Sequence, residues 1–87
     1  MKWTEIRNTY ENKWVLIEAI RAYSKDSKRI IEEINVLFES GDDSRDALVK
    51  YREIHKQDPK RELYVVHTSR EKIDINEKFY VGVKPRV

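Results

Sequence analysis

The sequence predicts an α+β domain: a four-stranded antiparallel sheet with one main helix packed on one face and a short N-terminal helix. Three observations carry this reading. Two stretches rich in β-branched and aromatic residues, 14–23 and 29–40, flank the short polar link Ser24-Lys25-Asp26-Ser27-Lys28, as a hairpin requires. Gly41-Asp42-Asp43-Ser44 then stops the strand pattern and opens a helical one. Beyond Asp58-Pro59, two further alternating runs at 62–68 and 78–84 supply the remaining strands.

Taken in chain order, residues 3–10 form one or two helical turns. Thr4 stands as the N-cap, and Trp3, Ile6 and Tyr10 are spaced to share a face. Glu11-Asn12-Lys13 breaks that helix. In 14–23, Val15, Ile17, Ala19 and Tyr23 alternate with Trp14, Leu16, Ile20 and Ala22, and Glu18 interrupts the pattern. In 29–40, Ile30, Ile34, Val36 and Phe38 fall on one strand face. Both runs also fit a helical template, through Leu16, Ile17, Ile20 and Tyr23 in the first and Ile30, Ile31, Ile34, Leu37 and Phe38 in the second. A helical hairpin over 14–40 is therefore the alternative. The strand reading is preferred because the link is short and turn-like and because the apolar residues favour a pleated surface.

A helix from about 44 to 57 follows. Asp43 or Ser44 can accept from its first free N–H groups, and Asp42, Asp43 and Asp46 lie near its positive end. Ala47, Leu48, Tyr51 and Ile54 make its buried stripe, and Asp58-Pro59 ends it. Residues 62–68 form the third strand and 78–84 the fourth. The charged connection 69–77 has Ile73 and Ile75 as anchors.

Chain direction turns this β-β-α-β-β order into a sheet. The helix returns the chain so that the third strand runs antiparallel to the first, which gives the strand order 2-1-3-4. The first strand then lies inside the sheet and carries apolar residues on both faces. One face takes the main helix. The other needs cover from the N-terminal segment or from a partner, which makes Trp3, Trp14, Leu16, Tyr64 and Tyr80 candidates for a homodimer or protein-partner interface.

Composition narrows function by exclusion. The 87 residues are short for more than one domain, and 39% are charged against 39% hydrophobic. The absence of cysteine favours a reducing compartment and removes thiol catalysis. No apolar run approaches a membrane span and the N-terminus shows no signal region, so the expectation is a cytoplasmic protein with no membrane. Two glycines, Gly41 and Gly82, cannot build a phosphate loop.

The stretches Trp14-Val15-Leu16-Ile17-Glu18, Tyr51-Arg52-Glu53-Ile54-His55-Lys56, Pro59-Lys60-Arg61-Glu62-Leu63-Tyr64 and His67-Thr68-Ser69-Arg70-Glu71 resemble a group of small bacterial proteins with no assigned activity. The resemblance spans nearly the whole chain. It implies a bacterial, cytosolic, single-domain protein and carries no catalytic residue across.

His67-Thr68-Ser69-Arg70 is the most reactive-looking cluster, since a hydroxyl beside an imidazole suggests a nucleophile. No glycine elbow accompanies it, however, and a strand end explains the hydroxyls. Two histidines, His55 and His67, and no cysteine leave no zinc spacing, and Asp42, Asp43 and Asp46 lack the calcium-loop pattern. No cofactor or metal is expected. Net charge is +2, with the signs interspersed. Lys25, Lys28, Arg29, Lys60 and Arg61, alongside strand aromatics, offer nucleic-acid contacts as an alternative function, although no RNP-like motif supports it. The reading that results is a non-enzymatic protein-interaction or regulatory module. A nucleic-acid-binding or antitoxin-like regulator is the alternative.

Overall fold

Asp26 and Ser27 set the frame of the sheet. In the computed structural model, which describes residues 1–73 and 75–76, both have positive φ, 52° and 63°. That is the combination a two-residue hairpin turn of type I′ needs. They join β1 (Trp14–Lys25) to β2 (Lys28–Gly41) in antiparallel register, with Lys25 opposite Lys28 and Trp14 opposite Gly41. The hairpin reading of 14–40 therefore holds, and the helical alternative does not.

The two strands are longer than the sequence pattern indicates, and their ladder is irregular. The register shifts between Leu16 and Ile17, where β2 carries Leu37 as an extra residue. It shifts again between Ala19 and Arg21, where Ile20 is the extra residue of β1. Such bulges bend a strand and increase its twist. They also blur strict alternation, which is why both stretches match a helical stripe as well.

After Gly41, Asp43 accepts the Arg45 backbone N–H on Oδ1 at 2.9 Å and starts α2 (Arg45–Gln57). Ala47 and Tyr51 are buried, and Leu48 and Ile54 pack against the core, as the stripe requires. β3 (Leu63–His67) then pairs antiparallel with β1, from Trp14–His67 to Glu18–Leu63. The sheet order is β3-β1-β2, with β1 in the middle. The two-residue β4 (Ile75–Asn76) adds a short ladder to β2 at Lys28 and Arg29. The chain is thus an α+β fold built on a three-stranded antiparallel sheet and two helices. The strand expected at 78–84, with Tyr80, lies outside the described residues.

The N-terminal helix α1 spans Trp3–Thr9. Its N-cap is Lys2 rather than Thr4, because Glu5 reaches back to accept the Lys2 backbone N–H at 2.7 Å. Met1 lies along β2, donating to the Ile34 carbonyl at 2.7 Å and accepting from the Ile34 N–H at 2.9 Å.

Val15, Leu16 and Ile17 are all fully buried, so both faces of β1 are covered. Leu16 shares a face with its cross-strand partner Phe38, and Lys50 of α2 sits over the Phe38 ring, 5.7 Å from its centroid. That face belongs to α2. Trp3 and Ile6 of α1, with Ile73 and Ile75, join the same buried cluster as Val15, Ile17, Tyr64 and Val66, which strand alternation puts on the other face. Each fully buried Leu or Ile contributes roughly 1.5–3 kcal/mol.

Candidate functional site

Three groups of side chains carry the chemistry that the sequence singles out. The first lies where β3 ends. Thr68 is 2% exposed, and its own hydrogen bonds account for that burial. Its N–H donates to the Lys13 carbonyl at 2.9 Å, and its hydroxyl donates to the Tyr10 carbonyl at 2.6 Å. The hydroxyl oxygen also accepts the Lys13 N–H at 3.0 Å. Its carbonyl accepts from Arg7 Nε at 3.0 Å. Two residues on, the Arg70 carbonyl accepts the Trp3 indole N–H at 2.9 Å. The β3 end is thereby tied to α1 and to the loop that leads into β1.

His67 and Ser69 flank this anchor. His67 Nδ1 lies 2.8 Å from Ser69 Oγ and accepts the Ser69 backbone N–H at 3.2 Å. Both contacts draw on one lone pair, which assigns the ring proton to Nε2. The half-buried ring meets Trp14 edge-on, with centroids 5.1 Å apart. Among the described residues no carboxylate pairs with His67 to orient it as a base. The contact closes a local turn, and a Ser–His nucleophile would need a third group.

The outer side of α1 and this turn enclose an open polar cleft of about 420 Å³. Thr4, Arg7, Asn8 and Glu11 supply one wall, and Asn12 and Ser69 complete it. Asn12 has a φ of 51°, a left-handed conformation that asparagine tolerates and that turns the chain from α1 toward β1. The sequence marked Thr68 and Ser69 as strand-end residues but gave no sign of the cleft, because Arg7 and Asn8 meet them across about 60 positions.

The second group is basic. Arg29 is bound bidentately to Glu62, at 2.7 and 2.8 Å, and Tyr64 donates its hydroxyl to the same carboxylate at 2.9 Å. Arg61 is bound bidentately to Glu18, at 2.9 and 2.7 Å. That pair holds the Glu18 carboxyl below its ordinary pKa, chiefly through the Arg61 hydrogen bond and against the opposing effect of burial. Lys25, Lys28 and Lys60 are exposed. Two of the five expected phosphate contacts are thus engaged in internal ion pairs.

The third group is apolar. Trp3, Leu16 and Tyr64 are buried within the chain's own core cluster, so they present no open surface. Trp14 is half-buried against His67. The open apolar residues lie farther along the hairpin. β3 pairs with β1 only from Trp14 to Glu18, so the distal part of β1 and β2 extends past it. There Ile20 is 53% and Tyr23 46% exposed. Tyr23 shares its face with half-buried Ile30, and the next pairs on that face bring Lys25 beside Lys28 and Arg21 beside Glu33. Alternation alone puts Ile20 and Tyr23 on opposite faces of an inner strand, both expected to be covered, so their exposure was not legible in the sequence.

No family model, curated protein or solved structure gives a significant match to the chain. No helix of the described residues is long and apolar enough to cross a membrane. Among the described residues no cluster of three histidine, aspartate or glutamate side chains is placed to hold a metal ion.

Proposed function

We propose that this chain is a non-enzymatic protein-interaction module whose docking surface is the distal face of the β1–β2 hairpin. The observation that carries the reading is the exposure of Ile20 and Tyr23 on a sheet region that extends beyond β3. Elsewhere on the sheet, among the described residues, large apolar side chains are buried or half-buried. Leaving two such side chains in water has no benefit for the fold and suits a contact surface.

Charge describes the partner. On this face Lys25 and Lys28 adjoin Tyr23 and Ile30, and Arg21, ion-paired to Glu32 at 3.4 Å, flanks them. Glu33, which shares the face, is engaged by the N-terminal ammonium at 2.6 Å. A protein segment with apolar side chains flanked by carboxylates complements that arrangement. The strand expected at 78–84 and a cytoplasmic setting for this cysteine-free chain belong to the same proposal. The engagement of Arg29 and Arg61 with Glu62 and Glu18 weakens the nucleic-acid alternative, because their charges are already met.

The reading is tested by placing a photo-crosslinking residue at position 23 in cells of the source organism, with position 49 on α2 as the control. Val49 is also an exposed apolar residue, at 48%. A discrete adduct at 23 that Ile20→Arg removes is the expected result. Equal labelling at 23 and 49, or adducts with nucleic acid alone, would overturn it.

A further inference from the structure

Three arginines are half-buried among the described residues: Arg7, Arg29 and Arg61. Arg29 and Arg61 are each neutralised by a bidentate carboxylate. Arg7 is not. Its Nε donates to the Thr68 carbonyl at 3.0 Å, and no carboxylate of the described residues lies within ion-pairing distance of it. Glu11, four residues on and just past the end of α1, lines the same cleft without pairing with it.

A guanidinium held by Nε keeps its terminal N–H groups for another acceptor. It loses little freedom on binding because its plane is already fixed. Around Arg7 the cleft offers neutral donors: the Thr4 hydroxyl and the Asn8 and Asn12 amides. Its volume, about 420 Å³, lies within the usual range for small-molecule sites. Its lining is polar, which suits a polar ligand.

We propose that this cleft binds a small oxyanion, the carboxylate or phosphate group of a polar metabolite, with Arg7 as the fork that receives it. The site is independent of the hairpin surface, so either proposal can fail alone. The Glu11 carboxylate, in the same lining, opposes the bound anion and limits its affinity.

The experiment is an amide NMR titration of the folded chain with acetate and with inorganic phosphate at constant ionic strength. Arg7 is left intact because it also holds the Thr68 turn. The variants are Asn8→Asp, which brings a negative charge into the cleft from an exposed position, and Glu11→Gln, which removes one. Saturable shifts at residues 4, 7, 8 and 69 are expected in the millimolar range. Binding should weaken about tenfold in Asn8→Asp and tighten several-fold in Glu11→Gln, from like-charge repulsion across a cleft. Tighter phosphate assigns a phosphorylated ligand, and tighter acetate a carboxylate. Shifts that do not saturate, or that neither variant changes, would refute the site.

Discussion

The Thr68 hydroxyl donates to the Tyr10 carbonyl at 2.6 Å, joining residues 58 positions apart. The same oxygen accepts the Lys13 N–H, so one side chain satisfies both ends of the link between α1 and β1. Removing it leaves two shielded backbone groups without partners, and each such group costs about 1–3 kcal/mol. Thr68→Val, close in shape but without the hydroxyl, should destabilise the fold by about 2–3 kcal/mol. Thr68→Ser keeps the hydroxyl and should cost less than half as much. Urea midpoints of the two variants separate the hydrogen bonds from the packing, and equal losses would show that the hydroxyl does little.

The half-buried Glu18–Arg61 pair makes stability depend on pH. Arg61 holds the folded-state Glu18 pKa below its ordinary value of 4.5. Its contribution is therefore complete above about pH 5 and declines as pH falls through 4.5 toward the lower folded value. At pH 7, Glu18→Gln should cost about 1.5–3 kcal/mol, the range for a hydrogen bond to a charged group. As pH falls below 4.5 the gap between the variant and the wild type should narrow. A constant gap in denaturant midpoint from pH 7 to pH 3 would contradict this assignment. Glu33 and Asp43 shift in the same direction beside the N-terminal ammonium and Arg45, but both are exposed, so solvent screens their share.

Local pattern made several elements legible. The hairpin link within 24–28, the α2 stripe of Ala47, Leu48, Tyr51 and Ile54, the β3 boundaries to within a residue and the central place of β1 all follow from periodicity, turn chemistry and chain direction. Ile73 and Ile75, expected as anchors, are buried. What escaped depends on contacts distant in sequence. The Thr68 hub, the ion pairs of Arg29 and Arg61 and the cleft beside Arg7 join positions 33 to 61 apart, and composition is blind to such distances. The Thr4 cap failed for a local reason: Glu5 competes for the role by reaching back to Lys2. Ile20 was misplaced because a bulge adds a residue to β1, and one extra residue reverses the face of those beyond it.

That bulge gives a contrast within one strand. Ile17 is fully buried, whereas Ile20, three residues on, is 53% exposed. Ile17→Ala should cost about 2–5 kcal/mol through lost transfer energy and the cavity left behind. Ile20→Ala should stay within about 0.5 kcal/mol, as exposed substitutions do. Thermal melts of the two variants decide the matter. A large loss for Ile20→Ala would mean that the side chain supports the fold, and the docking surface would lose its main apolar contact.

The two ends of β2 give opposite expectations from the same backbone argument. At its start, Ser27 holds a φ of 63°, which an L-residue adopts at some cost and glycine adopts freely. Ser27→Gly should therefore leave the hairpin as stable or stabilise it by up to about 1 kcal/mol, since relief of strain outweighs the added freedom of the unfolded chain. At its other end Gly41 has a φ of 68°, and an added Cβ would meet Glu39 Oε2 at 3.6 Å, an ordinary contact. The cost of Gly41→Ala is thus conformational alone, about 1–2 kcal/mol. Paired chemical-denaturation curves test both. If Gly41→Ala proved neutral, β2 would have to leave the sheet through a different backbone angle.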